Sequence, residues 1–216
     1  GIITSAVGGA AGTVDSALTN GASTDALTIT TTNATTTAAV LNSLDAKTTV
    51  AVDAALIAAI TGTVSNGATM VATDGTGITL KADYTFGATA AATTTTHVAN
   101  VDAIADNTAG VVTATITGSG SLTAAQINSN LGAIGTGDQI TINLADTTAA
   151  STTLTDLAGK TAVAIGASSV NTLTGTSLEG KAVVDAAITT AAGVTFTLDN
   201  DDTGYDTTAS NLVALN

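Results

Sequence analysis

The chain has no proline, no cysteine, no tryptophan and no arginine among its 216 residues, and only one histidine. Without cysteine it can form neither a disulfide framework nor a thiolate metal site. The absence of proline is expected if most strands are flanked on both sides, because each strand then needs every backbone N–H for a ladder hydrogen bond. Only 2% of the residues are aromatic, so the core must consist of Val, Ile, Leu and Ala.

Positive charge is also scarce. Four lysines stand against seventeen acidic residues, which gives a formal net charge of −13. Nucleic acid is therefore not expected as a partner, because phosphate binding needs a basic surface. No apolar run has the length of a membrane span. The one His, the one Glu and the scattered Asp residues form no recognisable acid and base pair, so the sequence predicts no catalytic residue and no enzyme.

A regular internal repeat dominates what is present. Similar triplets, of the type Ile-Thr-Gly, recur at an almost constant interval and begin at Ile3, Ile60, Ile116 and Leu173. Residues 27–63 also align without a gap with residues 140–176, at an offset of 113. Such periods are typical of stacked repeat arrays. We predict a single array over residues 1–216, with both ends interrupting a repeat. Its four repeats cover approximately residues 3–59, 60–115, 116–172 and 173–216.

The pattern within one repeat predicts the fold class. Short β-branched runs such as residues 140–144 predict strands. Stretches rich in Ala and Leu, such as residues 178–188, predict short helices or 3-10 turns between the strands. The predicted fold is a mainly-β repeat solenoid, in which parallel strands alternate with these turns; an α/β solenoid is the alternative. This architecture requires Ile60, Ile116 and Leu173 to stack in one column.

The repeats also resemble a known group of sequences. Residues 146–150, 160–165 and 173–176 carry the resemblance, and residues 37–63 repeat most of it. They are similar to tandem repeats of very large secreted surface proteins of cyanobacteria, which are described with haemolysin-type calcium-binding or S-layer-like proteins. The resemblance implies an extracellular or cell-surface location. The Gly-Gly-x-Gly-x-Asp nonapeptide that binds calcium in that family does not occur in this chain, so a calcium site has to come from local residues.

The densest group of oxygen ligands lies near the end of the chain. Calcium takes about six to eight oxygen ligands, which closely spaced Asp and Asn side chains around a Gly turn can supply. The alternative is a solvated acidic loop that caps the next helical turn. The calcium hypothesis assigns as metal ligands Asp199, Asn200, Asp201, Asp202 and Asp206.

Other polar residues have structural interpretations. Asn33 and Asp146 follow strands at corresponding positions and predict helix N-caps rather than metal ligands. Lys47 and Lys160 close Ala-rich turns, where a cation favours the negative end of the turn dipole. The alternative is that these lysines meet carboxylates of a neighbouring subunit. His97 is predicted to be a solvated loop residue.

The sequence favours a structural role. We expect a repeat module of an extracellular fibre, sheath or surface layer that assembles by stacking and lateral contacts. The reason is that the end of a solenoid without a capping element exposes backbone N–H and C=O groups, which can pair with another chain. Its partners are then further copies, or further repeats of the same parent protein. The alternative is a Thr-rich ligand- or ice-binding solenoid of a surface adhesin. Pairs such as Thr172/Thr174 and Thr195/Thr197 support a flat Thr-lined face, although Phe86 interrupts it.

Overall fold

The computed structural model describes residues 2–186 and 188–198. These residues form fourteen short strands and seven α-helices. The strands are β1 (Thr4–Gly9), β2 (Ala26–Thr31), β3 (Thr35–Thr37), β4 (Val52–Ala54), β5 (Ala59–Gly62), β6 (Ile78–Leu80), β7 (Thr85–Ala88), β8 (Val112–Thr117), β9 (Gln139–Asn143), β10 (Thr148–Ala150), β11 (Ile165–Ala167), β12 (Thr172–Gly175), β13 (Ile188–Thr190) and β14 (Thr195–Leu198). The helices are α1 (Ala11–Ala17), α2 (Ala38–Asp45), α3 (Val64–Ala72), α4 (Thr95–Asn107), α5 (Ala124–Ser129), α6 (Ser151–Ala158) and α7 (Ser177–Asp185).

The strands pair in parallel in three sheets. Paired residues lie close in the chain, as in Val7 with Ile29 and Ile60 with Phe86. Each strand therefore pairs with one that follows after a short intervening stretch of chain. The sheet orders are β1-β2-β4-β6, β13-β11-β9-β8-β7-β5-β3 and β10-β12-β14.

The chain belongs to the α/β class, and the prediction of a mainly-β solenoid is wrong. Seven helices alternate with the parallel strands of the described residues. The sequence pattern misses helices α1, α3 and α4 because they contain no leucine and are rich in Thr, Asn, Gly and Val, which are poor helix formers. Packing stabilises them instead, since α3 buries Val64, Gly67 and Met70 on one face.

The expected column of Ile60, Ile116 and Leu173 is also wrong. Ile60 pairs with Phe86 in the seven-stranded sheet. Leu173 pairs with Ala149 and Phe196 in the three-stranded sheet, so Ile60 and Leu173 cannot share a column. The period of the sequence repeat therefore does not give the number of residues that separate two paired strands.

The alignment of residues 27–63 with residues 140–176, by contrast, corresponds to a repeat of secondary-structure elements at the same offset. Adding 113 to the first residue of each element in one series gives the first residue of the corresponding element in a second series. The two series are α1, β2, β3, α2, β4, β5, α3 and α5, β9, β10, α6, β11, β12, α7. We call this relation the long repeat.

The described residues divide into two compact units. One comprises residues up to 90 together with 100–114, and the other comprises residues 91–99 and those from 115 onward. A core cluster of the first unit includes Val14, Leu27, Ile29 and Leu44, against which Val7 packs from β1. Each large aliphatic side chain buried in this way stabilises the fold by about 1.5–3 kcal/mol.

Candidate functional site

The candidate site is the open side of β1. The carbonyl group of Ile3 accepts a hydrogen bond from the N–H of Ala26, the first residue of β2, at 2.9 Å. The carbonyl group of Gly9 accepts one from the N–H of Thr32, the residue after β2, at 3.0 Å. Alternate residues of a parallel strand direct their N–H and C=O groups to the same side, so the residues of opposite parity face away from β2. Within the described residues, β1 is the terminal strand of its sheet. The backbone groups at the open side belong to Thr4, Ala6 and Gly8.

An apolar cavity of about 240 Å³ adjoins this strand. Its lining includes Ile3, Val7, Leu18 and Leu27. Ile3 is 54% exposed, whereas Leu27, in the next strand, is 3% exposed. The side of β1 thus combines unpaired ladder groups with apolar surface, which are the two features that a second strand would cover.

The predicted N-caps are present, but each caps a helix that lies earlier in the chain. The N–H of Ala11, the first residue of α1, donates to Asn33 Oδ1 at 2.8 Å. The N–H of Ala124, the first residue of α5, donates to Asp146 Oδ2 at 3.0 Å. Both side chains are therefore engaged in structure, as the capping interpretation predicted.

Asp25 and Asp138 are polar residues whose role the sequence interpretation missed. Asp25 is 3% exposed and accepts hydrogen bonds from the N–H groups of Ile3 at 2.9 Å and Ala22 at 3.1 Å. Asp138 accepts from the N–H of Gly135 at 3.1 Å. The signal was available, because Asp25 and Asp138 correspond in the long repeat and both precede a strand.

Two buried loop threonines bond to an earlier strand in the same way. Thr48 Oγ1 accepts from Leu27 N at 2.9 Å and donates to Leu27 O at 2.7 Å. Thr161 Oγ1 accepts from Ile140 N at 3.0 Å and donates to Ile140 O at 2.8 Å. Each hydroxyl thus satisfies both backbone groups of a residue in an earlier strand, which is β2 for Thr48 and β9 for Thr161.

Lys47 and Lys160, which occupy corresponding positions in the repeat, bind groups within their own chain. Lys47 Nζ donates to Asp15 Oδ1 at 2.5 Å and to Asp15 O at 2.7 Å. Lys160 Nζ donates to the carbonyl oxygen of Leu131. Asp15 lies in α1 and Leu131 lies just after α5, so each lysine stabilises the end of an earlier helix.

An Asp15→Asn substitution should weaken the fold at neutral pH and make its stability less sensitive to acid. Burial alone would raise the pKa of Asp15, but hydrogen bonds from Lys47 and Ser43 and the Lys47 charge outweigh burial and lower it. A group with a lowered pKa stabilises the folded state above its unfolded pKa of about 3.9, and this contribution is lost as the pH falls through the folded value. Urea unfolding of both proteins at about pH 7 and about pH 2.5 measures the difference. It should shrink at the lower pH, and a constant difference would contradict the assignment.

The remaining unusual polar groups lie inside the fold. Tyr84 is fully buried and its hydroxyl donates to Asn107 Oδ1 at 2.9 Å, while Asn107 Nδ2 donates to Asp74 Oδ2 at 3.1 Å. Burial, followed by the negative charge of Asp74, raises the pKa of Tyr84, so its hydroxyl stays protonated. His97 lies in the first turn of α4 rather than in a loop, and its buried Nδ1 has no hydrogen-bond partner in the described part of the chain.

The predicted calcium ligands Asp199, Asn200, Asp201, Asp202 and Asp206 lie outside the described residues. Within residues 2–186 and 188–198, no group of three or more His, Cys, Asp or Glu side chains is placed to hold a metal ion. In the same residues, no helix has the length and apolar character needed to cross a membrane.

Comparison with known proteins adds no relative. No family model, no curated protein and no solved structure matches the chain. The function therefore has to be argued from the chain's own surfaces.

Proposed function

We propose that the chain is a structural module of an extracellular fibre, sheath or surface layer, which joins neighbours by strand pairing at the open side of β1. A strand placed there would pair with the backbone groups of Thr4, Ala6 and Gly8. Each hydrogen bond gained contributes about 0.5–1.5 kcal/mol. The same strand would cover the exposed Ile3 side chain and the adjoining cavity.

The observation that carries this proposal is that the sequence of β1 lacks the charges and prolines that usually protect an edge strand. Natural edge strands avoid association by means of lysine, proline, bulges or inward-pointing charges. The sequence of β1 is TSAVGG, which contains neither a charge nor a proline. Its two glycines also present little side-chain bulk to an approaching backbone.

The partner under this proposal is a further copy of the chain or a further repeat of the same parent protein. The resemblance to cyanobacterial surface repeats supports the extracellular setting. The net charge of −13 opposes close lateral packing between copies, so added salt should promote association. Calcium would act in the same direction if the acidic run that begins at Asp199 binds it.

An Ala6→Pro substitution tests the proposal. Proline removes the N–H that Ala6 presents to the open side, and its fixed φ suits extended backbone at an edge strand. Assembly of the intact protein can be followed by analytical ultracentrifugation and electron microscopy. We expect the concentration for half-maximal association to rise about tenfold or more, which corresponds to ~1.4 kcal/mol.

Ala6→Ser is the matched control, because serine keeps the N–H and the exposed side-chain position. It should assemble like the unmodified protein. The proposal fails if the unmodified protein stays monomeric at high concentration, or if the proline and serine variants associate equally well.

A further inference from the structure

The outward face of the three-stranded sheet carries a nearly complete grid of threonines. The registers β10-β12 and β12-β14 align two rows of outward residues across the three strands. Ala149 and Leu173, which alternate with these residues, are buried on the opposite face. The first row is Thr148, Thr172 and Thr195, and the second row is Ala150, Thr174 and Thr197.

The hydroxyl groups of this grid are free to bind something outside the protein. Thr172 Oγ1 bonds to Asn171 Oδ1 at 3.2 Å, whereas the other four threonine hydroxyls make no hydrogen bond to any described protein group. Buried threonines of the same chain behave differently, since the hydroxyls of Thr48 and Thr161 are fully engaged with backbone. All six positions of the grid are uncharged.

The grid differs from other strands of the chain in the number of threonines that the register aligns. Threonine favours strands on either face, so isolated outward threonines need no explanation. Other outward strand positions also carry threonine, such as Thr113, Thr115 and Thr117 in β8, but some carry other residues. Asp53 occupies one in β4, and Gln139 and Asn143 occupy two in β9. The grid has five threonines at six aligned positions, and one of its two rows is complete.

The spacing of the grid identifies the class of ligand. Neighbouring strands are about 4.8 Å apart, and residues i and i+2 of one strand are about 6.6 Å apart, so the hydroxyls repeat at about these two spacings. Each threonine adds a methyl group, which holds liquid water less strongly than a fully polar side chain does. Ice presents rows of oxygen atoms at similar spacings. We propose that the outward face of β10, β12 and β14 binds the surface of ice.

The chain contains its own comparison surface. In the long repeat, β3 and β5 correspond to β10 and β12. Strand β7 pairs with β5, so the comparison surface is the outward face of β3, β5 and β7. The aligned outward positions there are interrupted by alanine and glycine in different rows. The rows are Thr35, Ala59 and Thr85, and Thr37, Thr61 and Gly87. We expect this surface to bind ice more weakly, because neither row is complete.

Adsorption of the fluorescently labelled full chain to a growing ice surface tests the proposal. The unmodified protein should be incorporated into the ice, and Thr174→Lys should abolish incorporation, because a lysine at the centre of the grid disrupts the spacing of the hydroxyls. Thr61→Lys is the matched control, since Thr61 corresponds to Thr174 in the long repeat. It should retain incorporation. Circular dichroism shows whether each variant is folded.

Thr174→Val keeps the shape and strand propensity of threonine, so it remains informative if the lysine variant does not fold. It should reduce incorporation through loss of one hydroxyl. Exclusion of the unmodified protein from ice would overturn the proposal. Equal incorporation of Thr174→Lys and Thr61→Lys, or binding to crystalline cellulose without adsorption to ice, would overturn it as well.

Discussion

A Gly110→Ala variant should lose about 3 kcal/mol of folding free energy, at the upper end of the usual cost of overpacking. A Cβ atom at Gly110 would lie 2.6 Å from the carbonyl carbon of Tyr84 and still closer to its carbonyl oxygen. These are backbone atoms, so no side chain can rotate away to relieve the contact. The chain would have to move just before β8 pairs with β7 through Phe86 and Val112. Urea unfolding followed by circular dichroism measures the loss.

Gly137→Ala is the control for this substitution. A Cβ atom at Gly137 has no neighbour within 4 Å. The stability of this variant should stay within about 0.5 kcal/mol of that of the unmodified protein. Equal stability of the two alanine variants would show that the close approach of Gly110 to Tyr84 is not a constraint on the fold.

Thr48→Val should destabilise the protein by about 1–3 kcal/mol, because it leaves buried backbone groups without partners. Valine has nearly the same shape as threonine but cannot bond to Leu27. The N–H of Val50, which also donates to Thr48 Oγ1 at 3.1 Å, would lose its acceptor too. Thr48 is only 6% exposed, so water has little access to replace these bonds. Thermal or urea unfolding measures the change.

Two further variants show whether the hydroxyl is responsible. Thr48→Ser keeps the hydroxyl and removes one methyl group, which costs about 0.8 kcal/mol. Thr161→Val should match Thr48→Val, and the double variant should show the sum of the two losses, because the residues share no partners. If valine is tolerated better than serine at residue 48, packing rather than hydrogen bonding determines this position.

The repeat and several elements could be predicted from the sequence alone. The alignment of residues 27–63 with 140–176 corresponds to an exact structural offset. Helix α7 covers most of residues 178–188, where the sequence predicted a short helix or 3-10 turn, and Asn33 and Asp146 are caps. These features depend on local propensity and on recurrence, both of which a single sequence displays.

The fold class could not be predicted in the same way. Helix α3 contains a glycine and several weak helix formers, and its formation depends on a tertiary contact. A Cβ atom at Gly67 would lie 2.5 Å from Ile104 Cδ1 and 2.8 Å from Phe86 Cζ, so glycine allows the helix to approach these side chains. Neither partner is close to Gly67 in the sequence. The preference of such a segment for helix therefore becomes visible only once the chain is packed.

The two candidate surfaces, which are the open side of β1 and the threonine grid, depend on how the strands pair, and pairing is also a tertiary contact. The sequence contains the pairs Thr172/Thr174 and Thr195/Thr197, but it does not show that they face each other across neighbouring strands. The open side of β1 likewise depends on which residues bond to β2. Alternation along a strand can be predicted from the sequence, whereas the identity of the neighbouring strand cannot.

Five of the side chains that connect successive parts of this fold bind backbone groups earlier in the chain. Asp25, Asn33 and Thr48 bind backbone groups that lie 21 or 22 residues earlier in the chain, and Asp146 and Thr161 do the same. During synthesis, which proceeds from the N-terminus, each segment is thus completed soon after the next one emerges. The short sequence separation of these contacts favours rapid folding. The chain is therefore suited to fold progressively as it leaves a ribosome or a secretion channel.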